Sequence, residues 1–149
     1  MFGFKKKAGE SDIVDLVQEY EREATPHNDN VPSVFFSVYL HNTKRKIGEC
    51  DIRIGMNDMI YYAGNIGYRI YEPYRGHGYA YEVCLILMDI AKNTYGMDEL
   101  IITCTPDNIA SRKTIEKLDV TFIEEVDVPT HHWLYKRGET VKRIYRLEL

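Results

Sequence analysis

The sequence has few of the residues that mark unusual classes of protein. Its 149 residues include only 3 Cys, 5 Pro and 10 Gly, which excludes a disulfide-rich scaffold, a collagen-like chain and a low-complexity chain. Cys50, Cys84 and Cys104 lie far apart in apolar segments, so we interpret them as small buried hydrophobic residues. The sequence contains neither an HExxH pattern nor a Cys/His cluster, and we therefore expect no bound metal.

Long apolar runs are also lacking. The longest purely apolar stretch, Val83–Met88, is far shorter than the ~20 residues that a membrane-spanning helix requires. Charged residues occur in Met1–Lys7, but no apolar region of the kind found in signal peptides follows them. The sequence therefore predicts a cytoplasmic protein with no membrane partner.

No single sign of charge dominates. The chain has 19 Lys+Arg and 23 Asp+Glu, which gives a formal net charge of −4. Such a chain lacks the basic field that holds a nucleic-acid backbone, so we expect no nucleic-acid partner and expect any anionic ligand to be bound locally. The length and the uniform composition predict a single domain over residues 1–149.

The N-terminal part predicts one strand and one helix. A short strand is expected at Phe2–Lys7. Ser11 or Asp12 is a suitable N-cap for a helix that ends before Pro26. The apolar residues of this segment recur at helical spacing: Ile13, Leu16, Val17 and Tyr20.

The remaining chain alternates strands and helices. Two helices are predicted, at Gly78–Tyr95 and from Asp107 or Asn108 to about Leu118. A turn at His41–Lys44 joins the first two of the remaining strands, and another turn is expected near Gly55–Asp58. The strands are predicted at Val34–Leu40, Lys46–Ile54, Asn65–Tyr71, Glu99–Thr105, Val120–Val128 and Thr140–Leu149. This order predicts an α/β (α+β) fold with a mixed, mostly antiparallel sheet, flanked by helices, in which the Gly78–Tyr95 helix joins a parallel pair.

The segment from Ile70 to Ala80 carries the clearest functional signal. It joins a strand to a long helix through Gly76 and Gly78, and Arg75 supplies a cation. Glycines allow backbone N–H groups to approach a ligand closely, and a helix start adds unpaired donors, so this layout is typical of an anion site. The segment contains no GxxxxGK[ST], and the third Gly of GxGxxG falls on Tyr81, which disfavours a kinase and a Rossmann dehydrogenase. A tight strand-to-helix turn explains the two glycines equally well.

Two motifs resemble those of the GNAT N-acetyltransferase superfamily. Arg75-Gly76-His77-Gly78-Tyr79-Ala80 resembles the family signature R/Q-x-x-G-x-G/A. About 30 residues later, Asn108–Ser111 and Glu116–Leu118 resemble its second conserved helix. The resemblance covers roughly Val34–Val128, and at the ends of the chain only the order of elements matches.

The resemblance implies binding of acetyl-coenzyme A (acetyl-CoA) and direct transfer of its acetyl group to an amine. It implies a sheet that splays open between the two parallel strands at the cofactor cleft. Backbone groups of Ile70 and Tyr71 would pair with the pantetheine arm as an added strand would. The pyrophosphate would be held by Arg75, Gly76, His77, Gly78, Tyr79 and Ala80.

The second motif implies further contacts with the cofactor. Asn108 would hydrogen-bond the pantetheine arm, a role that is compatible with capping the helix. Ser111, Arg112 or Lys113 would reach the outer phosphates. For the two cations, a solvated helix face explains the pattern equally well.

The resemblance fails at one position. Many family members place a Tyr seven residues after the Asn, where it protonates the leaving thiolate, but this chain has Ile115 there. Ile cannot donate a proton. Either another residue or solvent protonates the thiolate, or the chain binds the cofactor without this chemistry.

The segment His131–Gly138 offers other titratable groups in a region where family members often build the acceptor pocket. We name His132 as candidate base and Tyr135 as candidate acid. The alternative is an exposed hairpin tip with no chemical role. Three strand-borne acids are candidates to receive a cationic amine, although such acids usually face water: Glu49, Asp51 and Glu125.

The sequence thus predicts an acetyl-CoA-dependent N-acetyltransferase that acts on a primary amine of a small molecule or a protein N-terminus. The main alternative is a non-catalytic module that binds or senses acyl-CoA, and a weaker one is a nucleotide-binding protein. Acceptor pockets in this fold are built from variable loops, so the motif does not identify the amine. Assembly as a homodimer through the last strands is implied only by the habit of the family.

Overall fold

The computed structural model describes residues 5–149. Its strands are β1 (Lys6–Glu10), β2 (Val14–Arg22), β3 (Ser33–Leu40), β4 (Lys46–Arg53), β5 (Ile66–Ile70), β6 (Glu99–Cys104), β7 (Val120–Asp127) and β8 (Val141–Glu148). Its α-helices are α1 (Asp58–Ala63), α2 (Tyr79–Asn93), α3 (Ile109–Glu116) and α4 (Trp133–Lys136), with single 3-10 turns at Pro26–Asn28 and Glu72–Tyr74. The strands form a five-stranded sheet in the order β1-β2-β3-β4-β5 and a three-stranded sheet in the order β6-β8-β7. The predicted class, a mostly antiparallel α/β fold flanked by helices, is confirmed.

The segment predicted to be the first helix is instead strand β2, so that prediction was wrong. Val14 and Leu16 lie two residues apart and are both fully buried in the core, as expected for residues on one face of a strand. Strand β2 pairs antiparallel with both β1 and β3. Most of these pairings join residues that are far apart in the sequence. The pairings therefore determine the structure of the segment, although a few of its apolar residues recur at helical spacing. The strand predicted at Phe2–Lys7 overlaps the start of β1, and its first residues lie outside the described ones.

Strands β3, β4 and β5 form the predicted antiparallel meander. The predicted turn after β3 contains Asn42 in the left-handed conformation, with φ 56°. The chain between β4 and β5 forms helix α1, which the sequence analysis missed. The Asn57 side chain caps this helix by accepting hydrogen bonds from the N–H groups of Met59 and Ile60, both at 3.0 Å.

Helix α2 covers the inner face of the larger sheet. Gly9 on β1 makes this close packing possible, since a Cβ there would lie 2.5 Å from Cγ2 of Ile86. The buried residues of α2 recur on one face of the helix: Val83, Cys84, Ile86, Leu87, Ile90 and Ala91. All three cysteines are free and buried. Among residues 5–149, no helix is long and apolar enough to cross a bilayer.

The two sheets are joined at Asn65, which is almost fully buried. Its N–H donates to the carbonyl of Ile101 on β6, and its Oδ1 accepts from the N–H of Ile101, both at 2.7 Å. Beyond this junction the described residues form no ladder between β5 and β6. The predicted parallel pair is therefore not confirmed as a pair, and one edge of β5 is left without a strand partner.

Candidate active site

A cleft of about 660 Å³ opens between β5, the start of α2, and α3. Its volume falls within the ~300–1,000 Å³ of pockets that hold cofactors and other small ligands. The cleft brings together most of the residues that the two sequence motifs predicted to bind a cofactor: Ile70, Arg75, Gly76, Gly78, Tyr79, Ala80, Asn108 and Ser111. Segments about 30 residues apart in the sequence thus form one concave surface.

The glycine loop leaves open space where a ligand would approach. Gly76 and Gly78 have φ angles of 86° and 77°, a region in which side chains are rare. A Cβ at either residue would meet no atom within 4 Å. The backbone conformation, rather than crowding, therefore requires glycine here. Gly78 is the N-cap of α2 and caps without a side chain, so the first N–H groups of this helix are free to bind an anion.

Arg75 is held at the mouth of this loop by strand β5. Its Nε donates to the carbonyl of Ile70 at 2.8 Å. This bond uses one of the five guanidinium donors and leaves the others available. A fixed cation therefore lies beside the free N–H groups of α2, as a diphosphate site requires.

The free edge of β5 presents different backbone groups from those predicted. The N–H of Tyr71 donates to the carbonyl of Ile47 at 2.9 Å and is directed towards β4. Because hydrogen-bonding direction alternates along an antiparallel strand, the backbone groups of Tyr68 and Ile70 point to the free edge. The structure thus brings Ile70 to the cleft but not the amide of Tyr71, whose hydroxyl instead lies 3.3 Å from Glu49.

Tyr68 is a residue that the sequence analysis missed. Its hydroxyl lies 3.0 Å from Oγ of Ser111 on α3 and so crosses the cleft. Burial raises the pKa of this phenol well above its ordinary value of 10. The sequence signal was the position of Tyr68, two residues before Ile70 and therefore on the same face of the predicted strand.

Helix α3 begins as predicted, with Asn108 as its N-cap. The Asn108 Oδ1 accepts a hydrogen bond from the N–H of Ser111 at 3.1 Å, and its amide nitrogen remains available to a ligand. Lys113 lines the cleft, whereas Arg112 is paired with Glu116 at 3.2 Å. Ile115 is fully buried in the core.

His77 lies on the exposed outer side of the glycine loop. Its ring packs against the ring of Tyr79, with the centroids 5.4 Å apart. His77 does not line the cleft, in contrast to Tyr79. Its predicted contact with phosphate stays a prediction.

The structure does not bring His132 and Tyr135 to the cleft. His132 is fully buried and caps α4. Its Nδ1 accepts from the N–H of Leu134 at 3.0 Å, and its Nε2 lies 2.9 Å from the carbonyl of Met59. Nε2 therefore carries the proton, and neither nitrogen is free to accept one from a substrate. Tyr135 is 38% exposed on the same short helix, so the geometry favours structural and surface roles for this pair.

A second concave region lies on the outer face of the larger sheet. It consists of two adjoining cavities of about 550 and 560 Å³, which share Phe35 and Asp51 in their linings. We call this region the outer groove. Its first cavity and the cofactor cleft share two residues of β5, Tyr68 and Arg69. The cleft and the outer groove therefore meet at β5 from opposite faces of the sheet.

Asp51 lies in the middle of the outer groove, opposite Gly67 in the β4–β5 register. A Cβ at Gly67 would lie 2.5 Å from Oδ1 of Asp51, so only glycine leaves room for this carboxylate. The side chain of Asp51 is 13% exposed, and its Oδ2 lies 3.1 Å from Nε of Arg53. Burial raises the pKa of Asp51 above its usual 3.8, although Arg53 opposes the shift.

The other two acids predicted as amine receivers are less suited to that role. Glu49 lines the outer groove, but its side chain is half exposed and lies 3.8 Å from Arg69. Glu125 is on β7 in the smaller sheet and pairs with Arg143 at 3.1 Å. Asp51 is the acid that combines burial with a place beside β5.

One group of possible metal ligands occurs among residues 5–149, and it lies outside the cleft. Glu10, Asp15 and His41 bring their ligand atoms within 4.8 Å of one another. The Asp15 carboxylate already accepts from Nδ1 of His41 at 2.7 Å and from the N–H of Asn42 at 2.9 Å. These hydrogen bonds account for the cluster without an ion.

Comparisons with solved structures identify the fold. An acetyltransferase of the GNAT family from Bacillus anthracis matches with a TM-score of 0.61 and 20% identity, over 76% of this chain and 65% of that one. The chain thus spans a little less than two thirds of that relative. RimL, the ribosomal L7/L12 alpha-N-protein acetyltransferase, matches in its apo form with a TM-score of 0.69 and 13% identity, over 99% of this chain and 96% of that one. The microcin C7 self-immunity acetyltransferase MccE, in complex with acetyl-CoA and AMP, matches with a TM-score of 0.65 and 12% identity, over 93% and 94%.

Comparison with curated proteins finds no match. The family model described as "Acetyltransferase (GNAT) domain" matches residues 7–121, which is most of the chain and includes the glycine loop and α3. The motifs, the cleft that they form and this match all agree, and the chain is a member of the GNAT acetyltransferase family.

Proposed function

We propose that the chain is an acetyl-CoA-dependent N-acetyltransferase that acts on a primary amine of a small molecule or a protein N-terminus. The observation that carries this proposal is the continuity of the cleft. The unpaired edge of β5, the Arg75 guanidinium and the open N-terminus of α2 follow one another along a single surface. An extended arm that ends in a diphosphate is the ligand that matches this order of groups.

The residues of the cleft fit the parts of the cofactor. The N–H groups that follow Gly76 and Gly78 and the charge of Arg75 would hold the diphosphate. Backbone groups of Tyr68 and Ile70 would pair with the pantetheine arm, and the Asn108 amide would contact it from the opposite wall. When bound, acetyl-CoA supplies a thioester whose carbonyl carbon is open to attack by an amine.

The acceptor would approach from the outer groove. Transfer requires the amine and the thioester to meet, and the two cavities adjoin at Tyr68 and Arg69. An alkyl amine has a pKa near ~10.4 and is mostly protonated at neutral pH, so attack requires removal of a proton. Asp51 is the buried carboxylate of the outer groove, on β4 opposite Gly67 of β5. Its raised pKa makes it a stronger base than an ordinary aspartate.

The names of two relatives support the reaction type but leave the amine acceptor open. RimL is named as an alpha-N-protein acetyltransferase, and MccE is named as a self-immunity acetyltransferase. Identities of 13% and 12% support a shared fold and no shared acceptor. We therefore propose a primary amine as the acceptor class and assign no individual substrate.

A non-catalytic acyl-CoA sensor is the second candidate, and Ile115 is the observation that favours it. Ile115 is buried where many family members have a proton-donating Tyr. A sensor would use the cleft in the same way, but it would release no thiol in the presence of amines.

Two measurements separate these candidates. Acetyl-CoA should raise the melting temperature by mass action, and ATP and NAD should raise it less. Thiol release should then be measured with peptides, polyamines, aminoglycosides and amino acids. Turnover with one class of amine supports the enzyme. Stabilisation without turnover across the whole panel supports the sensor, and no stabilisation by acetyl-CoA overturns both.

A further inference from the structure

The position of the reacting sulfur follows from where the two cavities meet. The thioester sulfur is bonded to the carbonyl carbon that the amine attacks, so it must lie at the junction between the cleft and the outer groove. Tyr68 and Arg69 are the residues that line both cavities. Arg69 is directed to the outer face, where it lies 3.8 Å from Glu49. Tyr68 is the residue of this pair whose side chain reaches across the cleft.

Other hydroxyl groups of the cleft are less suited to contact the sulfur. Thr114 donates its hydroxyl proton to the carbonyl of Ala110 at 3.1 Å, within α3. Tyr74 and Tyr79 belong to the glycine loop and the start of α2, at the end of the cleft that suits the diphosphate. Tyr68 and Ser111 remain, and their oxygen atoms lie 3.0 Å apart. Ser111 lies one helical turn before Ile115 on α3, the position at which the family pattern has a phenol.

We propose that the Tyr68 hydroxyl donates a hydrogen bond to the sulfur of the departing thiolate and so replaces the phenol that is missing at Ile115. This inference rests on the proposed acetyl-CoA chemistry. The N–C bond forms as the C–S bond breaks, and the electron pair of the C–S bond stays on sulfur. The proton lost by the amine passes to Asp51 or to water. The thiolate leaves as an anion, hydrogen-bonded to Tyr68, and takes its proton from solvent after release.

The chemistry of Tyr68 favours hydrogen bonding over proton transfer. Because burial raises the pKa of this phenol, its proton is retained at neutral pH, and a thiolate with a pKa near ~8.5 is too weak a base to remove it. A buried, preorganised donor still stabilises charge that develops next to it. Ser111, whose Oγ lies 3.0 Å from the phenol oxygen, is the competing hydroxyl donor, and the test distinguishes the two.

The test compares Tyr68→Phe with wild type in two assays. In the first assay, kcat for thiol release should fall about 10- to 100-fold. This fall is no larger than the one caused by removing one oxyanion-hole donor. The dissociation constant for acetyl-CoA should change by less than about 3-fold, since the phenyl ring and the backbone are retained. Tyr95→Phe, which removes another partly buried phenol, should leave both values unchanged.

The second assay needs no turnover. The thiol of bound CoA is titrated by the ultraviolet absorbance of its thiolate, because a hydrogen bond to the thiolate lowers the thiol's pKa. Wild type should lower this pKa relative to free CoA, Tyr68→Phe should return it towards the free value, and Ser111→Ala should leave it lowered. A merely structural role for Tyr68 would leave the titration unchanged.

The outcomes separate this inference from the proposed function. No binding of acetyl-CoA by wild type would overturn both. Binding without turnover would overturn the enzyme, and the thiol titration would still test Tyr68. The role of Tyr68 would be overturned if the thiol pKa of bound CoA were as low in Tyr68→Phe as in wild type. It would also be overturned if this pKa returned to the value of free CoA in Ser111→Ala but not in Tyr68→Phe. If Tyr68→Phe fails to fold, a Ser111→Ala titration that matches free CoA contradicts the role, and one that stays lowered supports it.

Discussion

Nε of Arg75 donates to the carbonyl of Ile70 at 2.8 Å, and this bond ties the glycine loop to the end of β5. The bond fixes the cation between the free strand edge and the start of α2. A charge held in place binds phosphate better than one on a mobile side chain, because less conformational entropy is lost on binding. The bond therefore holds the two ends of the proposed cofactor site, the free edge of β5 and the start of α2, in fixed positions relative to each other.

Replacing Arg75 with Gln should therefore weaken acetyl-CoA binding. Loss of a charge-assisted hydrogen bond costs about 1.5–3 kcal/mol, which corresponds to a roughly 10- to 100-fold higher dissociation constant. Isothermal titration calorimetry measures the change. Arg146→Gln, on β8 with a 43% exposed side chain, is the control and should bind as wild type does. Equal affinities for Arg75→Gln and wild type would remove Arg75 from the site.

Gly78→Ala tests the loop backbone, and Gly138→Ala is its matched control. Both glycines have positive φ angles, 77° and 98°, and a Cβ at either would meet no atom within 4 Å. Each substitution should therefore destabilise the fold by a similar amount, about 1–2 kcal/mol. Only Gly78→Ala should also weaken acetyl-CoA binding, since Gly78 lines the cleft. Equal affinity in the two variants would show that the loop does not hold the ligand.

Asp51→Asn should lower kcat while the affinity for acetyl-CoA is retained. General-base catalysis contributes about 10²- to 10⁴-fold, and Asn preserves the volume beside Gly67. The rate of wild type should rise with pH through the raised pKa of Asp51, and the variant should lack this rise. Asp127→Asn, at the end of β7, should behave as wild type. An Asp51→Asn profile that keeps both its rate and its acidic limb would exclude Asp51 as the base.

The same substitution has a predicted effect on stability. Because burial raises the pKa of Asp51, protonated Asp51 favours the folded state. That contribution is present below the ordinary pKa of 3.8 and is lost as pH rises through the raised value. The free energy of unfolding of wild type should therefore decline over this range relative to Asp51→Asn. Denaturant titrations at several pH values measure the difference, and parallel curves would contradict the raised pKa.

Asp15 should show the opposite dependence. Burial alone would raise its pKa, but hydrogen bonds from His41, Asn42 and Lys7 outweigh burial and hold the pKa below its usual 3.8. Its contribution to stability is therefore present above the ordinary pKa and is lost as pH falls through the lowered value. Asp15→Asn should be less stable than wild type at pH 7, and the difference should shrink on acidification. A difference that is constant with pH would show that the ion pairing does not contribute.

His132→Ala should destabilise the fold without altering chemistry in the folded molecules. The change removes partners from the N–H of Leu134 and the carbonyl of Met59, and each buried polar group left unpaired costs about 1–3 kcal/mol. Tyr135→Phe, which alters an exposed hydroxyl, should affect neither stability nor kcat. A large fall in kcat for either folded variant would return these residues to the mechanism.

The fold was predictable where local sequence and final structure agree. Helix α2 has an apolar pattern that only a covered helix explains, and β6 is a continuous apolar run that fits a central strand. Strand β2 was missed because Ile13, Leu16 and Val17 fit helical spacing, and only the partners β1 and β3 decide between the two structures. Helix α1 was missed because its 6 residues are too few to show a period.

The candidate site was predictable in part for a similar reason. The glycine loop and Asn108 are encoded in short motifs, so their place in the cleft followed from sequence. The contact between Tyr68 and Ser111 depends on how α3 packs against β5, which no local pattern records. The hydrogen bonds of both His132 ring nitrogens involve backbone groups of Met59 and Leu134, and no sequence pattern records such contacts.

A crystal structure of the protein with acetyl-CoA tests the central claim most directly. The account predicts diphosphate oxygens within hydrogen-bonding distance of the N–H groups between Gly76 and Ala80, and a pantetheine arm along the free edge of β5. Density for the cofactor at any other surface, with the glycine loop empty, would contradict the account.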